Sequence, residues 1–291
     1  MDAPIPYAVR HLERFGLFLC LFLFLFSSVS AAEPSRTEWK NLSYYSESAL
    51  GDADDYQKTR CLLDVSAPPD AKGLPVVVWF HGGGLSGGNK AVSPLLKEEQ
   101  FVLVGVGYRL TPKAKFPDFL EDAAAAVAWT FANIERYGGD PEKIVVGGHS
   151  AGAYLSAMIG FDPRWLKPYE LKPSRLAGLI LMSGQMTTHF NVRKILNYPQ
   201  PELLPIVDEN APLHYLSADA PPIALILGDR KIEWPARVEE NELMYATLRA
   251  MKHPHVEFHE NLGFDHGGVG GAPDAARQMK AFIEKVSQKS P

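Results

Sequence analysis

Short, wholly apolar segments alternate with helix-compatible segments along most of this chain. Val76–Phe80, Ile144–Val146 and Ile223–Leu227 are apolar throughout, and Asp118–Tyr137 carries apolar residues at helical spacing. Strands that are apolar on both faces are typical of a mainly parallel sheet with helices packed on both sides. We therefore predict an α/β fold with a mainly parallel central sheet. Ligands in such folds bind beyond the carboxyl ends of the strands.

The same patterns predict further elements. The additional strands are Leu62–Val65, Phe101–Val106, Leu176–Met182 and Val256–Glu260. The additional helices are Ala153–Ile159, Glu239–Ala250 and Ala272–Val286. The stretch 161–222 is less regular and carries Trp165, Tyr169, Met182, Met186, Phe190 and Tyr198. Within it, residues 186–212 are either a cap or insertion that lines the ligand site or an ordinary surface loop.

The N-terminal 32 residues have a different composition. Arg10 and Arg14 precede a charge-free apolar run, Phe15–Phe26, and small residues follow it up to Ala32. This order is typical of a secretory signal peptide, with cleavage after Ala31 or Ala32. The apolar run is shorter than the ~20 residues that span a bilayer, which disfavours a retained anchor. We expect a signal peptide at 1–32, a single catalytic domain at 33–291 and a secreted or periplasmic protein without a stable membrane span.

Charge and cysteine content exclude some classes of protein. The net charge is −5 and the basic residues are scattered, so the chain lacks the basic patch expected of a nucleic-acid-binding protein. Once the signal peptide is removed, Cys61 is the only cysteine, and no internal disulfide can form. Cys61 lies beside a predicted strand, and we interpret it as a buried structural thiol.

The segment Gly148–Gly152 reads Gly-His-Ser-Ala-Gly between a predicted strand and a predicted helix. A G-x-S-x-G pattern at such a junction is typical of a nucleophile elbow, where a serine lies on a tight, strained turn above the sheet. Ser150 is therefore the candidate nucleophile. A second glycine-rich segment, His81–Gly84, follows another buried strand, and its backbone N–H groups could stabilise an oxyanion.

A serine nucleophile needs a neighbouring base, and His266 is the candidate. It follows the last predicted strand, where the chain order Ser, acid, His places the base. His253, His255 and His259 could suggest a metal site, but we interpret them as solvated residues at a sheet edge. His149 is expected to point away from the site because of its position in the turn.

The acid is expected after the penultimate strand, which ends at Gly228. Asp229 follows that strand directly and is the first choice, with Glu233 as the alternative. A carboxylate here would accept the imidazole N–H, hold its tautomer and stabilise the imidazolium. Asp229 could instead pair with a neighbouring cation at the surface.

Several motifs together resemble the α/β-hydrolase superfamily, in particular its small esterases of the hormone-sensitive-lipase and feruloyl-esterase-like branches. The motifs are His81–Gly84, Tyr108–Leu110, Phe116–Pro117, Asp122, Trp129, Tyr137–Pro141 and Gly148–Gly152. The resemblance extends from about Leu62 to the last helix. It implies that Ser150 is the nucleophile, that His266 is the base, and that the amides of Gly83, Gly84 and Ala151 form the oxyanion hole.

The chain departs from that family at three positions. Leu85 replaces an aromatic residue, Ala153 replaces a glycine after the elbow, and Lys231 occupies the usual place of the acid. The first two changes affect how a substrate would fit the site. The third change affects which residue serves as the acid.

The resemblance implies an exported serine hydrolase that cleaves small carboxylic esters or acylated carbohydrates through an acyl-enzyme, without a metal or organic cofactor. Two alternatives stay open: arylformamide hydrolysis, as in kynurenine formamidases, and a non-catalytic binding module on the same fold. The oligomeric state does not follow from the sequence.

Overall fold

The structure is a computed structural model that describes residues 35–51, 53–199, 201 and 204–288. The expected signal peptide, 1–32, lies outside the described residues, and its cleavage stays a prediction. Among the described residues, no helix is both long and apolar enough to cross a membrane.

The centre of the fold is one eight-stranded sheet in the order β1-β2-β4-β3-β5-β6-β7-β8. The strands are β1 (Thr37–Ser43), β2 (Leu62–Ala67), β3 (Leu74–Phe80), β4 (Val102–Val106), β5 (Gly139–His149), β6 (Gly178–Met182), β7 (Ile223–Gly228) and β8 (Val256–Asn261). Strand β2 runs antiparallel to β1 and β4, whereas β4, β3, β5, β6, β7 and β8 are mutually parallel. The predicted mainly parallel sheet is confirmed. Strand β1 was not predicted, because its residues are polar and mostly exposed.

Seven α-helices accompany the described strands. They are α1 (Glu47–Leu50), α2 (Asp55–Arg60), α3 (Asp118–Asn133), α4 (Ala151–Phe161), α5 (Phe190–Ile195), α6 (Arg237–Ala250) and α7 (Pro273–Ser287). The four long helices, α3, α4, α6 and α7, begin and end within a few residues of their predicted bounds. Short 3₁₀ turns complete the connections.

The central strands are buried on both faces, which explains their unbroken apolar sequences. Along β3, Val76, Val78 and Phe80 belong to one hydrophobic cluster, whereas Val77 and Trp79 belong to another. Residues of α3, α4 and α6 complete the first cluster, and residues of α7 complete the second. Helices therefore cover both faces, as predicted.

Cys61 is buried, with 1% of its surface exposed, at the end of α2. Burial raises the pKa of its thiol, so that the reactive thiolate is disfavoured. This environment agrees with the interpretation of Cys61 as a structural residue.

Parallel strands end at a common edge of the sheet, and the candidate residues follow those ends. His81 follows β3, Ser150 follows β5, and Asp229 follows β7. His266 lies in the loop between β8 and α7. The topology thus brings segments that are far apart in sequence to one edge of the sheet.

Candidate active site

Ser150 occupies the sharp turn between β5 and α4. Its backbone has φ 55° and ψ −116°, a conformation that a non-glycine residue adopts only when the surrounding structure imposes it. Gly152 allows this turn to pack against β3, since a Cβ there would lie 1.9 Å from the carbonyl oxygen of Phe80. The backbone N–H of Ser150 donates to the carbonyl of Met182 at 2.8 Å. Ser150 therefore has the strained strand-to-helix geometry that its sequence pattern predicts.

His266 lies beside Ser150, as predicted. The imidazole Nε2 is 2.8 Å from the Ser150 Oγ, within hydrogen-bond distance for proton transfer. The side chain of His266 is 12% exposed, so the imidazole is largely shielded from solvent.

The carboxylate beside His266 belongs to Glu233, the second choice of the sequence analysis. Oε1 of Glu233 is 2.6 Å from Nδ1 of His266 and also accepts a hydrogen bond from the Trp234 amide at 2.9 Å. Oε2 accepts hydrogen bonds from the Ser183 hydroxyl at 2.7 Å and the Gly228 amide at 3.3 Å. Both carboxylate oxygens thus have two donors each.

These donors set the charge state of the carboxylate. Burial by itself would raise the pKa of Glu233, but the hydrogen bonds from His266, the Trp234 amide and Ser183 outweigh it and lower the pKa to about 2. Glu233 is therefore an anion at neutral pH, as is needed to orient a neutral imidazole and stabilise an imidazolium.

The expectation that Asp229 contacts the imidazole is wrong. Its carboxylate accepts hydrogen bonds from the backbone amides of Lys231 and Gly263, both on the outer side of the loop. These two hydrogen bonds lower the pKa of the exposed Asp229 carboxyl. Asp229 stabilises the loop, and Glu233 contacts the base.

A single turn of the backbone explains why the later carboxylate reaches His266. The amides of Ile232 and Glu233 both donate to the Asp229 carbonyl, so the chain folds back after β7. Gly228 makes room for this return, since a Cβ there would lie 2.9 Å from the Glu233 Oε2 and 2.6 Å from the Phe264 carbonyl oxygen. Ser183, at the end of β6, was not singled out in the sequence, because an isolated serine after a strand carries no specific signal.

The glycine-rich loop after β3 lies next to the serine. Gly83 and Gly84 have φ of 113° and 61°, which glycine adopts without strain. Neither of their amides donates a hydrogen bond to an acceptor among the described residues. Ala151 is the first residue of α4, where backbone amides lack intrahelical acceptors. All three amides are therefore available for a ligand, as the oxyanion-hole prediction requires.

The expectation that His149 points away from the site is wrong. Its Nε2 lies 2.6 Å from the carbonyl oxygen of His266, and the centroids of the two rings are 4.9 Å apart. Because a carbonyl only accepts, the His149 Nε2–H donates this hydrogen bond. Burial, and secondarily the charge of His266, lowers the pKa of His149 and keeps its ring neutral.

A pocket of about 400 Å³ lies beside Trp234, and neither Ser150 nor His266 is among the residues that line it. The indole of Trp234 stacks on His266 with a centroid separation of 4.5 Å and an interplanar angle of 17°. Phe190, from the stretch 186–212, lies 6.3 Å from Trp234, centroid to centroid. The same stretch contributes Thr187 and Pro205 to the lining, and Arg237 begins the helix behind it. A larger groove of about 790 Å³ lies at the far end of α4 and contains none of these residues.

The histidines near β8 are separate from this site. His259 contacts Glu257 at 3.3 Å, and His253 Nε2 lies 2.9 Å from the Ala220 carbonyl oxygen. Strand β8 is an edge strand, as expected, but His253 precedes it and is buried rather than solvated. Within the described part of the chain, no group of three or more His, Cys, Asp or Glu residues is arranged to hold a metal ion.

Comparison with known proteins finds esterases that resemble this chain in sequence. The BD-FAE family model matches residues 63–167, which include the glycine loop and the elbow. Esterase LipC of Mycobacterium tuberculosis is 27% identical over 253 residues, which is 77% of this chain and 62% of LipC. The chain thus spans about three fifths of the length of that relative.

Solved structures share the fold. A truncated carbohydrate esterase from gut microbiota aligns with a TM-score of 0.71 at 18% identity, over 89% of this chain and 99% of that one. A propionate-bound esterase from Thermogutta terrifontis aligns with a TM-score of 0.68 at 20% identity, over 89% and 97%. The fold and the sequence matches confirm the resemblance seen in the motifs: the chain has the fold of these esterases and is similar in sequence to esterases of the α/β-hydrolase superfamily.

Proposed function

We propose that this chain is an exported serine hydrolase that cleaves carboxylic esters through an acyl-enzyme. The observation that carries the proposal is the continuous hydrogen-bonded series from Ser150 through His266 to Glu233. The sequence similarity to carboxylic ester hydrolases supports the same reaction. Export rests on the N-terminal composition alone.

The geometry supports a two-step reaction. His266 Nε2 takes the proton of the Ser150 hydroxyl as its oxygen attacks the ester carbonyl. The amides of Gly83, Gly84 and Ala151 stabilise the tetrahedral oxyanion, and Glu233 stabilises the imidazolium. The imidazolium then protonates the departing alkoxide, and water attacks the acyl-enzyme with His266 again as the base.

The substrate class follows from the pocket and from analogy. A pocket of about 400 Å³ with aromatic walls suits esters of modest size. One structural relative is a carbohydrate esterase, which supports an acylated carbohydrate as the substrate; acetyl and feruloyl are the acyl groups that the family resemblance implies.

Hydrolysis of p-nitrophenyl acetate, butyrate and octanoate by residues 33–291 tests the proposal. We expect Ser150→Ala to lower kcat/KM on the order of 10³-fold or more, as for other triad serines. Ser174→Ala, at an exposed serine away from the site, is the control and should retain activity. A fluorophosphonate probe should add to the Ser150 peptide in the unaltered protein. Equal hydrolysis by the Ser150→Ala and unaltered proteins would exclude the proposed function.

A further inference from the structure

We infer that Arg237 binds uncharged oxygen atoms of the substrate, so that the pocket beside Trp234, whose indole stacks on His266, selects esters that carry an oxygenated ring or chain over plain hydrocarbon esters. This inference rests on the proposed function. It assigns a specificity role to a residue outside the Ser150, His266 and Glu233 series.

Arg237 is a buried cation with unused hydrogen-bond donors. It is the first residue of α6, lines the pocket and is 5% exposed. Its Nη1 donates to Oε1 of Glu240 at 2.7 Å. Among the described residues, the buried Nε has no acceptor, and Nη2 makes no hydrogen bond. Because an unsatisfied buried donor is costly, this side of the guanidinium, its Nε–Nη2 edge, calls for an acceptor from outside the protein. Nη2 is the donor that a ligand would meet first, and Nε, which is shielded from solvent, becomes available if the side chain shifts toward the pocket.

Glu240 does not provide that acceptor, since it bonds to Arg237 through Nη1 alone. Oε1 is bound by Arg237, and Oε2 accepts from the Met186 amide, the Thr187 amide and the Thr187 hydroxyl at 2.8–3.1 Å. The carboxylate is thereby held in place by the backbone. An acceptor can approach Arg237 from the pocket that this residue lines.

The charges around the pocket favour an uncharged acceptor. Arg237 and Glu240 form a buried ion pair with no net charge, with their side chains 6% and 10% exposed. Glu233, which is ionised, adds a negative charge nearby and interacts electrostatically with Arg237. A carboxylate on the substrate would bring a second uncompensated negative charge into this region, which is unfavourable away from solvent. Hydroxyl, ether and carbonyl oxygens avoid that cost.

The walls of the pocket favour a group with flat apolar faces. Trp234 is 44% exposed although it stacks on His266, and Phe190 lies opposite at 6.3 Å. Sugars and oxygenated aryl groups both combine such faces with ring oxygens or hydroxyls. Neighbouring oxygens of either group could accept from the Nε–Nη2 edge.

Matched esters that differ by one oxygen test the inference. In the acyl part, p-nitrophenyl methoxyacetate is compared with p-nitrophenyl butyrate. In the alcohol part, tetrahydropyran-4-yl acetate is compared with cyclohexyl acetate. The measured quantity is the kcat/KM of the oxygen-containing ester divided by that of its hydrocarbon partner. Comparing this ratio between proteins cancels the difference in intrinsic reactivity between the two esters. Arg237→Lys keeps a cation beside Glu240 but loses the Nε–Nη2 edge, and Arg249→Lys changes an exposed arginine at the other end of α6.

We expect Arg237→Lys to lower the oxygen preference about tenfold in at least one pair, and Arg249→Lys to leave both ratios unchanged. If the kcat/KM ratio falls for the alcohol pair, the pocket binds the alcohol part of the ester. If the ratio falls for the acyl pair, the pocket binds the acyl part. If Arg237→Lys does not fold, the double variant Arg237→Met with Glu240→Gln removes both charges together and should show the same fall.

Three results would overturn the inference. The first is that both ratios are the same in the unaltered protein and the folded Arg237 variant. The second is an Arg237-dependent preference for the anionic p-nitrophenyl hemisuccinate, which would contradict an uncharged ligand. The third is the absence of Ser150-dependent hydrolysis of every ester, which would reject the proposed function and this inference together. In the first two results Ser150-dependent hydrolysis persists, so the two failures are distinguishable.

Discussion

Nδ1 of His266 lies 2.6 Å from Oε1 of Glu233, a residue four positions beyond the carboxylate that first follows β7. The glutamate side chain is 1% exposed and ionised, whereas Asp229 faces solvent. The pairing therefore places the negative charge where the imidazolium would form during the reaction.

Replacing the two carboxylates separately tests which one supports the base. We expect Glu233→Gln to lower kcat about 10²- to 10⁴-fold, because a neutral amide no longer stabilises the imidazolium or holds its tautomer. Asp229→Asn has nearly the same shape but loses one of the two acceptors for the loop amides. Because Asp229 does not contact His266, its kcat should still stay within about threefold of the unaltered protein. Steady-state kinetics with p-nitrophenyl butyrate measure kcat for both variants. A larger loss in Asp229→Asn than in Glu233→Gln would contradict the assignment.

The low pKa of Glu233 also predicts how stability depends on pH. Its folded-state pKa is about 2, compared with 4.5 for an unperturbed group, so the folded protein binds fewer protons between these values than the unfolded chain. The stabilisation is fully present above pH 4.5 and is lost as the pH falls toward 2. We expect the difference in unfolding free energy between the unaltered protein and Glu233→Gln to shrink on the order of 2 kcal/mol over that range. Urea unfolding at pH 6, 4 and 3 measures it, and a constant difference would exclude an ionised, hydrogen-bonded Glu233.

Gly228 is predicted to be essential for the loop that carries the acid. A Cβ at this position would meet the Glu233 Oε2 at 2.9 Å and two carbonyl oxygens of the His266 loop at 2.6 and 3.0 Å. Gly228→Ala should therefore destabilise the protein by about 2 kcal/mol and reduce activity at least tenfold. Gly270→Ala is the matched control, since nothing lies within 4 Å of its added Cβ. Thermal unfolding and ester hydrolysis are measured for both variants. Equal losses of stability and activity in Gly228→Ala and Gly270→Ala would show that the close contacts at Gly228 do not explain its effect.

His149 is predicted to position the loop of the base through its hydrogen bond to the His266 carbonyl. His149→Phe keeps an aromatic ring but removes the donor, whereas His149→Gln keeps an amide N–H near the place of Nε2. We expect His149→Phe to lower kcat about tenfold with little change in KM, and His149→Gln to retain more of the activity, because the hydrogen bond fixes the base relative to Ser150. Identical kcat values for both variants and the unaltered protein would show that the contact has no positioning role.

Much of the fold and part of the site could be predicted from local patterns. The apolar runs of β3, β5 and β7 indicate strands buried on both faces, and the confirmed parallel sheet follows from them. Ser150 is marked by the glycines that its turn requires. His266 is marked by its place after the last strand. In each case the signal lies within a few consecutive residues, and local backbone geometry determines it.

The amino-acid sequence by itself determined the strands, the strained turn at Ser150 and the region where an acid should lie. Only the tertiary structure decided that Glu233 reaches His266, that His149 contacts the same loop, and that Arg237, which lines the pocket, keeps a buried Nε–H without an acceptor among the described residues. The physical reason is that these relationships depend on how a turn rotates its side chains and on which distant segments meet. Asp229 and Glu233 lie four residues apart on one backbone turn, and only the direction of that turn separates the carboxylate that contacts the base from the one that faces solvent.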